Sequence, residues 1–322
     1  MKVFVAGATG AIGARLVPLL VARGFEVIAM TRSPAKERAL RALGAQPVVA
    51  DGLDREAVLA AVTQSGPDVL VHEMTGLRGV TSVRNFDAEF ALTNRLRTAG
   101  TDHLLEAARA AGARRFVAQS FGNWNYERAG SLAKREEDPF DPRPPARQRR
   151  SLDAIRHVEH AVLEAHDLEG LALRYGTLSG PGTGIAVDGD IAEMVRRRRF
   201  PVVGDGAGVW SFIHVDDAAT ATAAAIDRGA PGAYNVADDE PVRVADWLPA
   251  LARALHAPAP RRVPVWVGRL AVGAVGVSMM TRIRGASNAK AKRELGWRPA
   301  LESYRVGFRI GLGDAAPGTA AA

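Results

Sequence analysis

The run Val3-Phe4-Val5-Ala6-Gly7-Ala8-Thr9-Gly10-Ala11-Ile12-Gly13 joins an apolar strand to a helix start through three glycines spaced three apart. The first glycine permits a tight turn, the second lets the backbone approach a pyrophosphate, and the third lets helix and strand pack closely. Free N–H groups of the opening helical turn then face an anion. A glycine pattern alone is weak evidence. Here it follows a buried strand, opens a helix and begins a longer alternation, which is the context that gives it meaning. Residues Gly7, Ala8, Thr9, Gly10, Ala11, Ile12 and Gly13 are therefore expected to hold a dinucleotide.

Outward from this loop, short apolar runs at 2–6, 26–30, 46–49, 69–71, 115–119 and 171–174 alternate with helical patterns at 10–23, 34–43, 55–63, 86–111 and 151–165. Strands alternating with helices of this length give parallel βαβ units with right-handed crossovers. The fold class is α/β: a doubly wound open parallel sheet with ligands at the carboxyl ends of its strands. Residues 313–322 read as a flexible tail. Residues 122–150, rich in proline, read as a lid or flexible binding loop. The basic run 147–150 reads as a solvated helix start. Asp216 or Asp217 is expected to cap the helix after the strand at 210–215.

The end of the second strand reads the cofactor's ribose. An acidic residue there would bind the 2′-hydroxyl of NAD, but the chain has Thr31-Arg32, with Lys36 one turn later. A planar guanidinium suits a 2′-phosphate, so the expected cofactor is NADP, with NAD as the alternative. Asp51 and Gly52 follow the third strand, where they would meet the adenine.

Composition limits the chemistry. The chain has 322 residues, 47% hydrophobic and 24% charged, within the ordinary globular range. It has no cysteine, which removes disulfides, thiolate nucleophiles and cysteine-based metal centres. No metal site is expected. The net charge of +7 comes mainly from arginine, since the only lysines are 2, 36, 134, 290 and 292. No aromatic interleaving accompanies the basic runs, so nucleic acid is not an expected partner. The apolar stretch at 263–280 carries Arg269 and several glycines and reads as a packed helix, not a membrane span. The N-terminus lacks a signal-peptide pattern. These features predict a cytoplasmic protein with a small-molecule substrate; a homodimer is left open.

The chain resembles the extended short-chain dehydrogenase/reductases, the NAD(P)-dependent epimerase/dehydratase group. The resemblance is carried by the glycine loop, Asp51-Gly-Leu-Asp54, Asn94, His103-Leu-Leu-Glu-Ala-Ala108 and Arg115-Phe-Val-Ala-Gln-Ser120. It continues through Leu173-Arg174, Gly180-Pro-Gly182, Phe212-Ile-His-Val-Asp-Asp217, Tyr234-Asn-Val236 and Leu295-Gly-Trp297. It implies a Rossmann-type domain, expected at residues 1–177 and 209–236, a smaller, discontinuous C-terminal substrate-binding part at 178–208 and 237–312, and a cleft between them.

The departures matter as much. The family's Tyr-x-x-x-Lys pair is absent: Ser151 stands at the tyrosine place and Ile155 at the lysine place. None of the four tyrosines (126, 175, 234, 304) has a lysine four residues on. Ser120 lies one position before the place of the family's supporting serine, which Phe121 occupies. Tyr126, just after the fifth strand, is the candidate substitute acid; Ser120 and Ser151 are secondary catalytic candidates. Trp210 stands where nucleotide-sugar members carry an arginine for the diphosphate, and an indole cannot pair with phosphate. Trp124, Tyr175 and Trp210 are read as lining an apolar or aromatic substrate pocket. The expected function is an NADP-dependent oxidoreductase transferring hydride at a carbonyl or alcohol of a small non-nucleotide substrate. Its alternatives are an isomerase or lyase using the nucleotide transiently or structurally, and a catalytically silent NAD(P)-binding sensor.

Overall fold

The computed structural model describes residues 1–77 and 82–313. Its centre is a seven-stranded sheet of β1 (Lys2–Ala6), β2 (Glu26–Thr31), β3 (Gln46–Val49), β4 (Val69–His72), β5 (Arg115–Phe121), β6 (Glu169–Tyr175) and β7 (Gly232–Val236). The order is β3-β2-β1-β4-β5-β6-β7, and every pairing is parallel. The chain order reverses between β1 and β4. Ligands of doubly wound sheets bind at such a switch point, beyond the carboxyl ends of the strands.

Side chains alternate between the faces of a strand, and both faces here are apolar. Val3 and Val5 of β1 join the core beneath α1 (Gly13–Ala22) and the helix at 215–227, whereas Phe4 and Ala6 join the core on the other face. Such all-round burial is typical of parallel strands covered by helices on both sides.

Four sequence readings change. The pattern at 86–111 is not one helix: after a short turn at Phe86–Glu89 come α2 (Ala91–Arg97) and α3 (Ala99–Ala110), parted at Thr98, whose ψ of −92° is non-helical. The segment 122–150 is tied down. Tyr126 bridges Phe140, and Ala133–Lys134 pairs in parallel with Gly285–Ala286. The strand at 210–215 breaks at Ser211, and its second half, Phe212–His214, pairs with Thr177–Ser179. This pairing begins at residue 177. The tail lies outside the described residues from 314 onward.

The fourth change concerns caps. His214, not an aspartate, caps the N-terminus of α5 (Val215–Asp227), its Nδ1 accepting from the Asp216 N–H at 3.3 Å. The Asp217 carboxylate instead accepts from the Ala300 and Leu301 N–H groups at 2.8 and 3.0 Å, which ties the C-terminal segment to this helix. No helix among the described residues is long and apolar enough to cross a membrane.

Candidate active site

The glycine loop has the shape its sequence calls for. Gly7 adopts φ +95°, and a Cβ there would lie 2.6 Å from the Glu73 carbonyl carbon. A Cβ on Gly13 would lie 2.3 Å from Gly7 O. Among the described residues no side chain or backbone carbonyl caps the N–H groups of Ala11, Ile12 and Gly13, and the first turn of α1 holds no acid. Free donors and an uncompensated helix N-terminus at a sheet switch point fit a pyrophosphate. The residues present therefore fit a dinucleotide. The Thr31 hydroxyl accepts from the Ser33 N–H at 3.2 Å, shaping the β2 turn. Arg32 is exposed and Lys36 half-buried, and neither makes an ion pair among the described residues. Asp51 Oδ1 accepts from the Leu53 N–H at 3.0 Å, so part of its role is to form the turn. Gly52 lies under Met74, where a Cβ would meet the sulfur at 2.4 Å.

The three candidate catalytic hydroxyls lie in two places, each already hydrogen-bonded. Ser151 is fully buried near the start of α4 (Arg149–Leu163). Its hydroxyl donates to Asp87 at 2.7 Å and accepts from Asn94 Nδ2 at 3.0 Å. Asp87 also accepts from the N–H groups of Arg150 and Ser151 at 3.1 and 2.8 Å, so it closes the helix N-terminus from outside. Ser151 thus ties the entrance of the helix to Asp87 and Asn94.

Ser120 and Tyr126 belong to a second, interior network. The Ser120 hydroxyl donates to Glu159 at 2.5 Å. Arg174 forks onto the same carboxylate, Nε to Oε1 at 2.9 Å and Nη2 to Oε2 at 2.7 Å. Arg174 Nη1 also donates to the Tyr126 hydroxyl at 3.0 Å, and that hydroxyl donates to Asn235. Burial works against the Arg174 charge, but the Glu159 pair outweighs it and holds the guanidinium above its ordinary value. Tyr126 has no exposed surface, and burial pushes its phenol up to about 12. Proton transfer near neutrality needs a pKa close to the working pH. Through these bonds Tyr126 braces the long segment after β5 against β6 and β7. Ser120 is engaged in the same network through Glu159.

The substrate-lining candidates divide. Trp124 packs edge-on to Phe86 at 5.1 Å and against Phe121 at 5.7 Å, within an apolar cluster that includes Leu152, Ile155 and Val275. Trp210 is half-buried, stacks on Phe212 and donates Nε1–H to Met279 O at 2.9 Å. Tyr175 does not line that region: it points to the α1/α5 face of the sheet, where its hydroxyl meets Glu73 at 2.7 Å and Thr222 at 2.6 Å.

Two buried ionisable groups were not singled out from the sequence. Glu73, just past β4 and beneath Gly7, has one carboxyl oxygen on Tyr175 and the other without a partner among the described residues. Burial pushes it up to about 8. Arg97, at the end of α2, is buried with Nε and Nη1 unpartnered; burial pushes it down to about 10 against the pull of Glu159. The available signal was a charged residue directly after an apolar strand, and an arginine on the apolar face of a helix.

The fold and the glycine loop define a Rossmann oxidoreductase of the short-chain dehydrogenase/reductase type that works with a nicotinamide cofactor. The chain belongs to the NAD dependent epimerase/dehydratase family, whose model matches residues 3–237. It is 46% identical to a 3-diazoavenalumate denitrifying reductase of a Streptomyces species, over 96% of this chain and 99% of the relative. It is 30% identical to a 4-hydroxy-2-methyl-3-oxo-4-farnesyl-3,4-dihydroquinoline-1-oxide ketoreductase of Stigmatella aurantiaca, over 98% and 89%. Among solved structures, UDP-glucose 4-epimerase of Thermus thermophilus with NAD aligns at a TM-score of 0.70 and 26% identity, over 97% and 98% of the two chains. A human epimerase family protein with NADPH aligns at 0.73 and 20% identity, over 97% and 99%.

Proposed function

We propose that this protein is an NADPH-dependent reductase that replaces the diazo group of a small aromatic substrate by hydrogen, releasing dinitrogen. The observation that carries the reading is the fate of Ser151: the group at the family's acid position is buried, with its proton given to Asp87. When bound, the reduced nicotinamide supplies a hydride. An arenediazonium that accepts it forms a C–H bond, breaks its C–N bond and leaves as neutral arene plus dinitrogen. For a diazonium cation the two charges cancel and no proton enters the balance; a hydroxy-substituted diazonium that has lost its phenolic proton gives a phenolate, which takes a proton on oxygen from water. A carbonyl, by contrast, becomes an alkoxide and needs a proton in the same step. The relative's name, a denitrifying reductase of a diazo compound, supports the same chemistry. The chain's own contribution is binding, orientation and the exclusion of water. The apolar cluster of Trp124, Phe86 and Phe121 suits an aromatic ring.

The cofactor assignment rests on Arg32 and Lys36, two cations at the ribose end of β2, neither in an ion pair among the described residues. The test is to supply NADPH with a hydroxybenzenediazonium salt and follow dinitrogen, phenol and NADP together. Equal yields of the three above the enzyme-free rate support the reading. A protein that oxidises NADPH with ketones and leaves the diazonium at its background rate refutes it and favours the carbonyl reductase, the reading supported by the ketoreductase relative.

A further inference from the structure

A groove of about 330 Å³ lies between the turn at Arg84, the entrance to α4 at Arg147 and the middle of α6 (Val265–Thr281). Three arginines line it, Arg84, Arg147 and Arg269, and no acidic residue does among the described lining. None of the three makes an ion pair among the described residues, although many other arginines of this chain do. Like charges gathered in one concavity repel one another and raise the local concentration of anions.

The groove is held in shape. α6 kinks at Gly273 (φ 71°, ψ −175°), where a Cβ would approach Arg84 Cγ to 3.4 Å. A kink leaves carbonyls of the preceding turn short of donors, and Arg84 Nη1 donates to Leu270 O at 2.9 Å. Arg147 Nη1 in turn donates to Arg84 O at 3.3 Å and to Asn85 Oδ1. Two guanidinia are thereby fixed by one nitrogen each, and Arg269 has no partner among the described residues. Val275 on the groove wall also belongs to the apolar cluster around Trp124. Arg147 lies in the short 3-10 turn Ala146–Gln148 that leads into α4.

We propose that this groove binds the carboxylate of the substrate. The substrate class is then an aromatic acid, and specificity for the acid resides in Arg84, Arg147 and Arg269. The proposal deepens the reductase reading and rests on it for the aromatic ring of the substrate. A guanidinium–carboxylate contact is charge-assisted and directional, and losing one typically costs about tenfold or more in affinity.

The test is calorimetric, on the NADP-loaded protein, with hydroxycinnamate and its carboxamide as unreactive probes. The acid should bind about tenfold more tightly than the amide, and added salt should narrow the gap. Arg269→Gln, at an exposed position that cannot threaten folding, and Arg147→Gln should bring the two probes close to equality while leaving NADP binding intact. Equal binding of the probes to the unaltered protein, no binding of either at millimolar concentration, or a preference that survives both substitutions overturns the proposal. The same preparations are assayed with hydroxybenzenediazonium, which has no carboxylate. Dinitrogen release without acid preference removes the groove and keeps the reaction; acid preference without dinitrogen release does the reverse.

Discussion

The Ser151 hydroxyl donates to Asp87 at 2.7 Å, and the same oxygen accepts from Asn94 at 3.0 Å. One side chain thus gives both its proton and a lone pair to structure, at the position where related enzymes keep a proton in play. Ser151→Ala should destabilise the fold by about 1–3 kcal/mol, because it strands the Asn94 amide in a buried site. It should leave kcat within about twofold, well short of the factor typical of a lost general acid. Thermal denaturation and steady-state rates on the folded fraction check both halves.

Tyr126→Phe makes the same distinction in the interior network. The substitution removes a hydroxyl held by Arg174 and Asn235. We expect a stability loss of about 1–3 kcal/mol with unchanged kcat and an unchanged pH profile. A kcat lower by two or more orders of magnitude would return Tyr126 to the mechanism.

Arg32→Ala should weaken NADPH binding by about tenfold or more, the value of a charge-assisted phosphate contact, and leave NADH binding nearly as it was. Titration of cofactor fluorescence measures both. Equal affinity of the unaltered protein for the two cofactors would remove Arg32 and Lys36 from phosphate recognition.

Glu73 gives the protein a pH dependence with a definite sign. Its folded carboxyl sits near 8, above the unfolded value of 4.5, because burial disfavours the charge. Below about pH 4.5 it is protonated in both states and costs nothing. As pH rises from there toward 8 the unfolded chain releases a proton that the folded chain keeps, so stability falls; above 8 the difference is constant. The full effect is on the order of several kcal/mol as an upper bound. Glu73→Gln, which cannot ionise, should therefore flatten the fall of Tm between pH 5 and 8 and be relatively more stable at the alkaline end. Parallel pH–Tm curves for the two proteins would contradict this.

How far the sequence could be read follows from how local each constraint is. The glycine loop was legible because a positive φ at Gly7 and close contacts at Gly13 are demands of the backbone itself. The parallel, doubly wound character of the sheet followed from the βαβ alternation. The break at Thr98 was not legible, since residues 86–111 keep a helical pattern through it and the turn is set by packing. Nor could sequence tell that Tyr126 would be sealed against Arg174, forty-eight residues away, or that Asp217 would hold Ala300 and Leu301 instead of its own helix. The basic residue Arg147 read as a solvated helix start. Its meeting with Arg84 and Arg269 depends on three segments brought together by the fold.

The central claim is that the nicotinamide hydride itself replaces the diazo nitrogen at the ring carbon. Its most direct measurement uses NADPH deuterated at the transferable C4 position, hydroxybenzenediazonium in ordinary water, and the mirror experiment with ordinary NADPH in heavy water. Mass spectrometry of the phenol should show one ring deuterium in the first case and none in the second. Ring deuterium drawn from heavy water, or none from the labelled cofactor, would contradict the account.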